Sequence, residues 1–529
     1  MNSFLQRHAE SVTGMLNGFD RIRFRGTIRL LANVGGLAAV LSYLGILLKE
    51  FADYAMSLSE QLKAASLRMA LATDRPVQYL SSSSIRKEDV AREIARRDKI
   101  ERGLICVLKA VEPCWSFHVR RDRPSKKLVL ESSWRKCLHL YHYFMHPTLG
   151  FMHARVQSWL PFNVHVCING REWLARQMDQ VGMSYQRRDN CFTWIDDPRR
   201  AQELFDSQLT IDWAAMLDEV LTQAHPGNPQ MFPRRPMNYY WSADESEWAS
   251  DVMFKSVERL SALFPRLVRH GMQNLSSRDV MRFLGRKDPY QGGYGAFKGE
   301  VVSDLKQRPE GMRLKHRVNR NSIKIYDKQG SVLRVETTLN NTRDFKVYRT
   351  AQGQESIAEP AQTAAKPKWR PMRKGVSDMH RRAQVCQAAN ERYLQAMAAV
   401  EDQTPLSQLI EPLCQPVKWN GRQVRGLNPL SLQDATLLQD VGRGEFTLNG
   451  FRNRDLRALM FDTPITDEKE TRRRSGAVTR KIRMLRAHGL VHKVPKTHRY
   501  MVSSKGRSII TALLSARQAD AAKLAAVAA

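Results

Sequence analysis

Cysteine is scarce in this chain, with seven among 529 residues. The count is odd, and no two cysteines form a C-x-x-C pair, nor does any cysteine start a C-x-x-H pair. Disulfide frameworks and zinc ribbons both depend on paired spacing, so neither is expected here. The pattern fits a protein of the reducing cytoplasm, which is the localisation we expect.

The signatures of nucleotide and dinucleotide enzymes are also missing. The sequence has no phosphate-binding G-x-x-x-x-G-K-[ST] loop, no G-x-G-x-x-G after a strand, and no G-x-S-x-G nucleophile elbow. An ATPase, a dinucleotide-dependent enzyme or a serine hydrolase of that type is therefore not expected. No organic cofactor is predicted.

Negative charge is the third deficit. The chain carries 53 acidic residues against 84 lysines and arginines, a formal net charge of +31. A cytoplasmic protein with this excess usually has a polyanionic partner, and nucleic acid is the first choice. An anionic membrane surface is the second choice, but it needs an anchor that the sequence does not show.

Long apolar runs are nearly absent. Residues 30–48 form one stretch of 19 residues without a charge, close to the roughly 20 apolar residues that a membrane helix needs. An asparagine, a serine and three glycines interrupt it, so we favour a buried core helix over the alternative of a membrane helix. Polar residues follow Arg7, which does not match a signal peptide. No membrane partner is expected.

Hydrophobic periodicity, turns and composition divide the chain into segments. A capping box at Ser242 and Glu245 predicts a helix over 245–268, and a further helix is predicted over 300–307. The predicted segments are a mixed α/β part at 1–100, an antiparallel β-rich domain at 101–200, a helical region ending in a β-hairpin at 201–350, a linker at 351–375, a helix and connection at 376–429, a C-terminal domain at 430–517 and a frayed tail at 518–529.

The C-terminal domain has an informative order of elements. Helices are predicted at 431–441, 453–460 and 468–488, followed by two short strands around a basic turn and a last helix from 504. The segment LRAHGLVHKVPKTHRYMVSSKG at 485–506 resembles the recognition-helix end, wing and following helix of MarR-like regulators. That resemblance, which covers about 85 residues, implies a winged helix-turn-helix that binds DNA.

The third of these helices carries both an apolar stripe and a basic face. Val478, Ile482 and Leu485 are spaced to pack on the other helices. Residues 452–507 hold 16 basic and 5 acidic residues. The alternative to DNA contact is a basic face in a protein-interaction winged helix. The predicted DNA-binding residues are Arg472, Arg473, Arg474, Thr479, Arg480, Lys481 and Arg483 on the helix and Lys496, His498 and Arg499 in the wing.

A second winged helix is a further possibility. Residues 302–330 align without gaps to residues 478–506, and LKHRV at 314–318 then matches LVHKV at 490–494. The alternative is that any basic helix followed by a hairpin gives such a match.

The hairpin at 322–339 suggests a rival function. Its order IYDK, turn, LRVE resembles a strand pair of the rolling-circle replication initiators of plasmids and phages, proteins that nick DNA with a tyrosine and bind a metal. The resemblance implies a catalytic role for Tyr326. The His-x-His metal motif of those proteins is absent. Separately, Asp20 and Glu336 are candidate carboxylates for the metal cluster of a nuclease or transposase, with Mg²⁺ or Mn²⁺ as the ion.

Five histidines between 139 and 165 are the remaining candidate ligands: His139, His142, His146, His153 and His165. Ordinary sheet histidines are the favoured interpretation, with metal binding as the alternative, and no metal site is assigned.

The sequence thus predicts an α+β, multidomain fold, with an antiparallel-sheet N-terminal half, a helical region and one or two winged helix-turn-helix domains. The leading hypothesis is a sequence-specific DNA-binding protein of bacterial plasmids or other mobile elements, active in replication initiation or a similar process, with a homodimer as the candidate assembly. A DNA nickase or transposase-type enzyme is the first alternative. A transcriptional regulator that senses a ligand through residues 100–200 is the second.

Overall fold

The computed structural model has an α+β fold. It describes residues 3–82, 84–234, 236–273, 275, 277–285, 300–308, 311–349, 368–398, 406–442, 446, 450–461, 467–494 and 497–518. Residues 286–299, most of the predicted linker, Lys496 and the predicted tail from 519 onward lie outside the described residues.

One large sheet dominates the described part of the chain. It has eleven strands in the order β10-β11-β12-β13-β9-β1-β6-β5-β4-β3-β2, and every neighbouring pair is antiparallel except β2 and β3. Its strands are β1 Val12–Ile28, β2 Val77–Tyr79, β3 Gly103–Arg121, β4 Leu128–His146, β5 Gly150–Gln157, β6 Val164–Asn169, β9 Tyr239–Phe254, β10 Val301–Arg308, β11 Gly311–Val318, β12 Asn321–Lys328 and β13 Val332–Leu339. The hairpin β7 Tyr185–Arg188 and β8 Cys191–Ile195 forms a separate two-stranded sheet.

Helices connect and cover these strands. In the sheet region they are α1 Ser3–Arg7, α2 Val34–Leu44, α3 Phe51–Ala72, α4 Lys87–Arg97, α5 Gly170–Gln180, α6 Pro198–Asp206, α7 Trp213–Ala224, α8 Asn228–Met231, α9 Val257–Gln273, α10 Ser277–Phe283 and α11 Met379–Met397. Two short strands, β14 Lys346–Arg349 and β15 Lys368–Pro371, pair with each other.

The two faces of the sheet differ in chemistry because side chains alternate along each strand. On β1, Ile22 and Phe24 are buried in the apolar core with α2, α3 and α7, whereas Arg21 and Arg23 are exposed on the other face. On the β9–β13 side, α9 and α11 cover the same apolar face. The opposite face carries charged side chains on β1, β9, β12 and β13, and we call it the polar face.

The helix predicted at 245–268 is wrong in its first half. Residues 239–254 form strand β9, and the helix begins only at Val257. β9 lies at the centre of the sheet, between β1 and β13, and residues 247–254 are all buried. A strand that is covered on both faces loses the alternating pattern by which strands are recognised.

The helix predicted at 300–307 is also wrong, because Val301–Arg308 is strand β10. It begins the meander β10–β13, so the first winged helix proposed for 302–330 does not form. The hairpin itself is confirmed as β12 and β13, with Ile323, Ile325, Leu333 and Val335 buried as expected.

The predicted segment boundaries at 100 and 200 do not divide the sheet. Strands from residues 1–100, 101–200 and 239–339 are neighbours in this one sheet. After α8, the region predicted as helical at 201–350 consists mainly of strands. Residues 34–44 form a helix with Leu37, Val40 and Leu41 buried. Within the described residues no single helix is long and apolar enough to cross a membrane, and only Val34–Leu44 taken with Leu48–Ala72, across a 100° bend, passes that test.

The C-terminal region has an apolar core of its own. From residue 432 onward the order of the described elements is helix, helix, helix, hairpin, helix, as the sequence predicts. The elements are α12 Leu406–Cys414, β16 Val417–Trp419, β17 Arg422–Val424, α13 Leu432–Val441, α14 Asn453–Met460, α15 Glu468–Ala487, β18 Val491–Lys493, β19 Tyr500–Val502 and α16 Ser504–Gln518.

A buried ion network ties the middle of the sheet together. Arg334 on β13 donates to both carboxylate oxygens of Asp251 on β9, at 2.6 and 2.8 Å, and to Asp20 on β1 at 3.0 Å. Arg171 on α5 donates to Asp251 at 2.7 Å. Two guanidiniums thus balance two carboxylates, and all four side chains are at least nine-tenths buried.

Arg171 reaches this ion network because helix α5 begins in close contact with strand β1. A Cβ atom at Gly170 would lie 1.6 Å from the carbonyl oxygen of Phe19, so only glycine fits there. Asn169 caps the helix by accepting hydrogen bonds from the backbone N–H groups of Arg171 and Glu172.

We expect Asp251→Asn to lower the free energy of unfolding by about 3–5 kcal/mol at pH 7, because it leaves two buried guanidiniums with one carboxylate. Urea unfolding followed by circular dichroism measures the change. Asp304→Asn on edge strand β10, where the carboxylate is only partly buried, is the control and should cost less than about 1 kcal/mol. Equal stability of the two variants would contradict the assignment.

The same ion network predicts that the free energy of unfolding depends on pH. Burial would raise the pKa of Asp251, but Arg171 and Arg334 outweigh burial and lower it to about 2. Because the unfolded value is about 3.9, the stabilisation is complete above that pH and disappears as the pH falls toward 2. The stability difference between wild type and Asp251→Asn should therefore shrink over that window.

Candidate nucleic-acid interface and carboxylate cluster

Helix α15 is the element with the densest predicted DNA contacts. Its first turn is capped by Asp467, which accepts a hydrogen bond from the backbone N–H of Lys469, and Gly489 follows its end with φ of 72°. Val478, Ile482 and Leu485 are buried in the C-terminal core, as their spacing predicts. This fixes which side of α15 faces solvent.

Arg480 and Arg483 lie exposed on that solvent side. Within the described residues neither side chain pairs with a carboxylate. Two guanidiniums that lie one turn apart, free and turned outward, are suited to bind phosphate or the edge of guanine. Thr479 is also exposed, but its hydroxyl is already bonded to the Ser475 carbonyl and to Asn453.

The other predicted residues of α15 are less available. Arg472 and Arg473 are exposed but form ion pairs of 2.6 Å with Glu468 and Glu470. Arg474 also pairs with Glu470, and its guanidinium lies 5.0 Å from the Phe461 ring centre with only 11% of the side chain exposed. Lys481 is half-buried, and burial lowers its pKa.

The hairpin β18–β19 follows α15 and pairs Val491 with Val502. Tyr500 bonds through its backbone to Phe451, at 2.7 and 2.8 Å, which fastens the hairpin to the segment before α14. His498 is exposed and Arg499 is half-buried. Lys496 lies outside the described residues.

A carboxylate cluster lies on the polar face of the sheet. Asp20 on β1, Glu247 on β9 and Glu336 on β13 each place a carboxylate oxygen within 4.8 Å of the others, and all three are buried. Asp20 and Glu336 were predicted from the sequence, and the structure brings them together. Glu247 was missed because it falls in the segment predicted as a helix, where its position on a strand face was not visible.

Lys324 on β12 supplies the cation of this cluster. Its ammonium lies 3.1 Å from Glu247 and 2.5 Å from Glu336. Burial would lower the pKa of Lys324, but the two glutamates outweigh it and raise the pKa. Arg21 adds a second cation, at 3.3 Å from Glu247. The carboxylates are therefore balanced by protein cations.

Tyr326 is the neighbour of Lys324 on the same strand face, with its ring centre 6.0 Å from the ammonium. Only 7% of the residue is exposed. Burial and the nearby Glu336 raise the pKa of the phenol, so it is protonated at neutral pH. The three catalytic residues predicted from the sequence, Asp20, Tyr326 and Glu336, thus share one region of the polar face, and all three are buried.

The histidine-rich segment gives one further group of donors. Cys114, Cys137 and His139 lie within ligand distance of one another on β3 and β4, and the two sulfurs are 3.0 Å apart. Arg155 approaches Nε2 of His139 at 2.9 Å. Burial and then Arg155 lower the pKa of His139 to about 4. A guanidinium at this position disfavours a second cation, so the group is a poor metal site.

No protein-family model matches the chain, and no curated protein or solved structure matches it.

We expect Lys324→Ala to lower the free energy of unfolding by about 3–5 kcal/mol at pH 7, because it leaves Glu247 and Glu336 without their shared cation. Mutual repulsion between the two carboxylates is then no longer offset, and it is relieved when one of them takes up a proton. The stability of the variant should therefore rise as the pH is lowered from 7 toward 5, unlike that of wild type.

Chemical denaturation at several pH values measures this effect. Lys306→Ala, at an exposed position on β10, is the matched control and should follow the wild-type profile. A Lys324→Ala profile parallel to that of wild type would show that the ammonium does not balance the cluster.

Proposed function

We propose that this protein is a sequence-specific DNA-binding protein that contacts DNA through a winged helix-turn-helix at 430–517. In this assignment α14 and α15 are the helix pair, α15 enters the major groove and β18–β19 is the wing. The order and packing of α13, α14, α15, the hairpin and α16 support the proposal. The net charge of +31 supports a polyanionic partner.

The single observation that carries the proposal is the pair Arg480 and Arg483. Both are exposed on the face of α15 opposite Val478 and Ile482, and within the described residues both lack an ion-pair partner. Basic residues whose role is to stabilise a helix are commonly paired, as Arg472 and Arg473 are with Glu468 and Glu470 of the first turn. The unpaired arginines in the middle of α15 therefore fit contact with an external anion.

We expect Arg480→Ala and Arg483→Ala each to cost about 1–3 kcal/mol of binding free energy on a cognate site and to relax sequence preference. Selection from a random duplex library first gives the site, and fluorescence anisotropy then gives the affinities. Arg199→Ala on α6, whose side chain is 92% exposed, is the control and should bind as the parent does. A folded double variant with unchanged affinity and preference would instead favour a protein-docking role for this domain.

The biological setting proposed is a plasmid or other mobile element, where the protein marks or opens a replication origin. The large sheet and the helices that cover it, which together make up most of the described chain, support a role beyond that of a small repressor. A transcriptional regulator with a ligand site in the sheet remains the alternative within the same class of DNA-binding proteins.

A second candidate function is metal-dependent DNA strand cleavage. It is favoured by the convergence of Asp20, Glu247 and Glu336, whose oxygens are ligands that Mg²⁺ and Mn²⁺ accept. An ion there would have to displace the ammonium of Lys324 or lie beside it. The chemistry proposed is hydrolysis, in which a water oxygen bonds to phosphorus while one P–O ester bond breaks, leaving a hydroxyl and a phosphate monoester.

Cleavage is tested with labelled single- and double-stranded DNA in the presence of Mg²⁺ or Mn²⁺. If the candidate is right, the parent cleaves, Glu247→Gln does not, and Glu203→Gln on α6 keeps full activity. Tyr326→Phe should retain activity because the attacking group in this hydrolysis is water and not the phenol. Absence of cleavage by the folded parent would remove this candidate and leave DNA binding intact.

A further inference from the structure

A groove of about 710 Å³ lies on the polar face of the sheet beside the carboxylate cluster. One bank is formed by Arg21, Arg23 and Arg25, which follow one another on the same face of β1 at intervals of roughly 7 Å. The other bank is formed by Lys315, Arg317 and Arg320 at β11 and the turn after it. Four strand spacings, roughly 19 Å, separate β1 from β11.

The floor between these banks is acidic. Asp244, Glu245 and Glu247 on β9 line it, and Lys324 and Lys374 leave it with a net negative charge of one. Arg21 pairs with Glu245 at 2.9 Å, and Arg23 lies 3.8 Å from the same residue. The β1 bank is therefore partly neutralised by the floor.

The cations of the bank at β11 are not neutralised in this way. Within the described residues, the side chains of Lys315 and Arg320 have no carboxylate within ion-pair distance, and Arg317 pairs only with the exposed Glu300. Burial, Lys324 and Arg313 all lower the pKa of Lys315, which shows cations crowded at this bank. On β1, Nε of Arg25 is buried and has no hydrogen-bond partner in the described part of the chain. An anion in the groove would offset the repulsion among the cations of the bank at β11.

The charges of the banks and of the floor together determine which anions the groove can bind. Guanidinium and ammonium groups on both banks suit phosphate oxygens. A ligand that is anionic throughout would be repelled by Asp244, Glu245 and Glu247 on the floor. A nucleic-acid strand meets both demands when its bases are unpaired, because the amino groups of adenine and cytosine donate to carboxylates while the phosphates remain at the edges.

We propose that this groove binds a single strand of nucleic acid, with its phosphates along the cationic bank at β11 and its unpaired bases over the acidic floor. The proposal rests on the proposed function for the identity of the partner, but it uses a surface separate from α15. Glu247 and Lys324 line the groove and also belong to the carboxylate cluster, so a bound strand lies against that cluster.

The test uses the full chain and a fluorescein-labelled single-stranded DNA of about 15 nucleotides. Lys315→Ala/Arg320→Ala should weaken single-strand binding about tenfold and flatten its salt slope by about 1.4 units, because two phosphates are then no longer neutralised. Duplex binding at the cognate site should be unchanged. Arg199→Ala is the matched surface control, and thermal unfolding verifies that each variant is folded.

Arg480→Ala/Arg483→Ala should give the converse result, with weaker duplex binding and unchanged single-strand binding. A failure of the winged-helix assignment would therefore leave the groove result intact. Single-strand binding by the folded groove variant equal to that of the parent would overturn the proposal.

Inorganic polyphosphate distinguishes a strand site from a site for any polyanion. We expect polyphosphate to compete poorly with the labelled strand, because it offers no base donors to the acidic floor. Competition by polyphosphate as strong as that by unlabelled single-stranded DNA, at equal phosphate concentration, would overturn the assignment of a nucleic-acid strand.

Discussion

The interaction on which the rest of the sheet depends is the buried pairing of Arg334 with Asp20 and Asp251. These residues come from three adjacent strands, β13, β1 and β9, that are far apart in the sequence. Arg171 completes the network from α5, and the backbone carbonyl of Asn190 accepts a further bond from Arg334 at 2.6 Å. Ionic pairs of this kind cost desolvation energy, so they fix register and position more than they add stability.

The fixed register has a consequence for the polar face. With Arg334 opposite Asp251, Glu336 lies opposite Ala249, and Thr338 lies opposite Glu247. Lys324 on β12 then lies opposite Glu336 on β13. The carboxylate cluster and the groove beside it therefore follow from the same strand alignment, whereas the exposed arginines of α15 depend on a separate apolar core.

Much of the C-terminal region could be predicted from sequence, because amphipathic helices with caps leave a clear local pattern. The apolar set Val478, Ile482 and Leu485 and the hairpin at 322–339 were also predicted correctly. β9 and β10 were not, since a central strand buried on both faces loses its alternation and an edge strand rich in polar residues resembles a surface helix. Glu247 was missed for that reason, and its partnership with Asp20 and Glu336 depends on strand order, which local sequence does not encode.

The central claim is that cationic surfaces of this chain bind the phosphate backbone of nucleic acid. The most direct measurement is the dependence of duplex affinity on salt concentration. If roughly 6–8 phosphates are neutralised, the logarithm of the association constant should fall against the logarithm of salt with a slope of about −5 to −7. A slope near zero would contradict the claim.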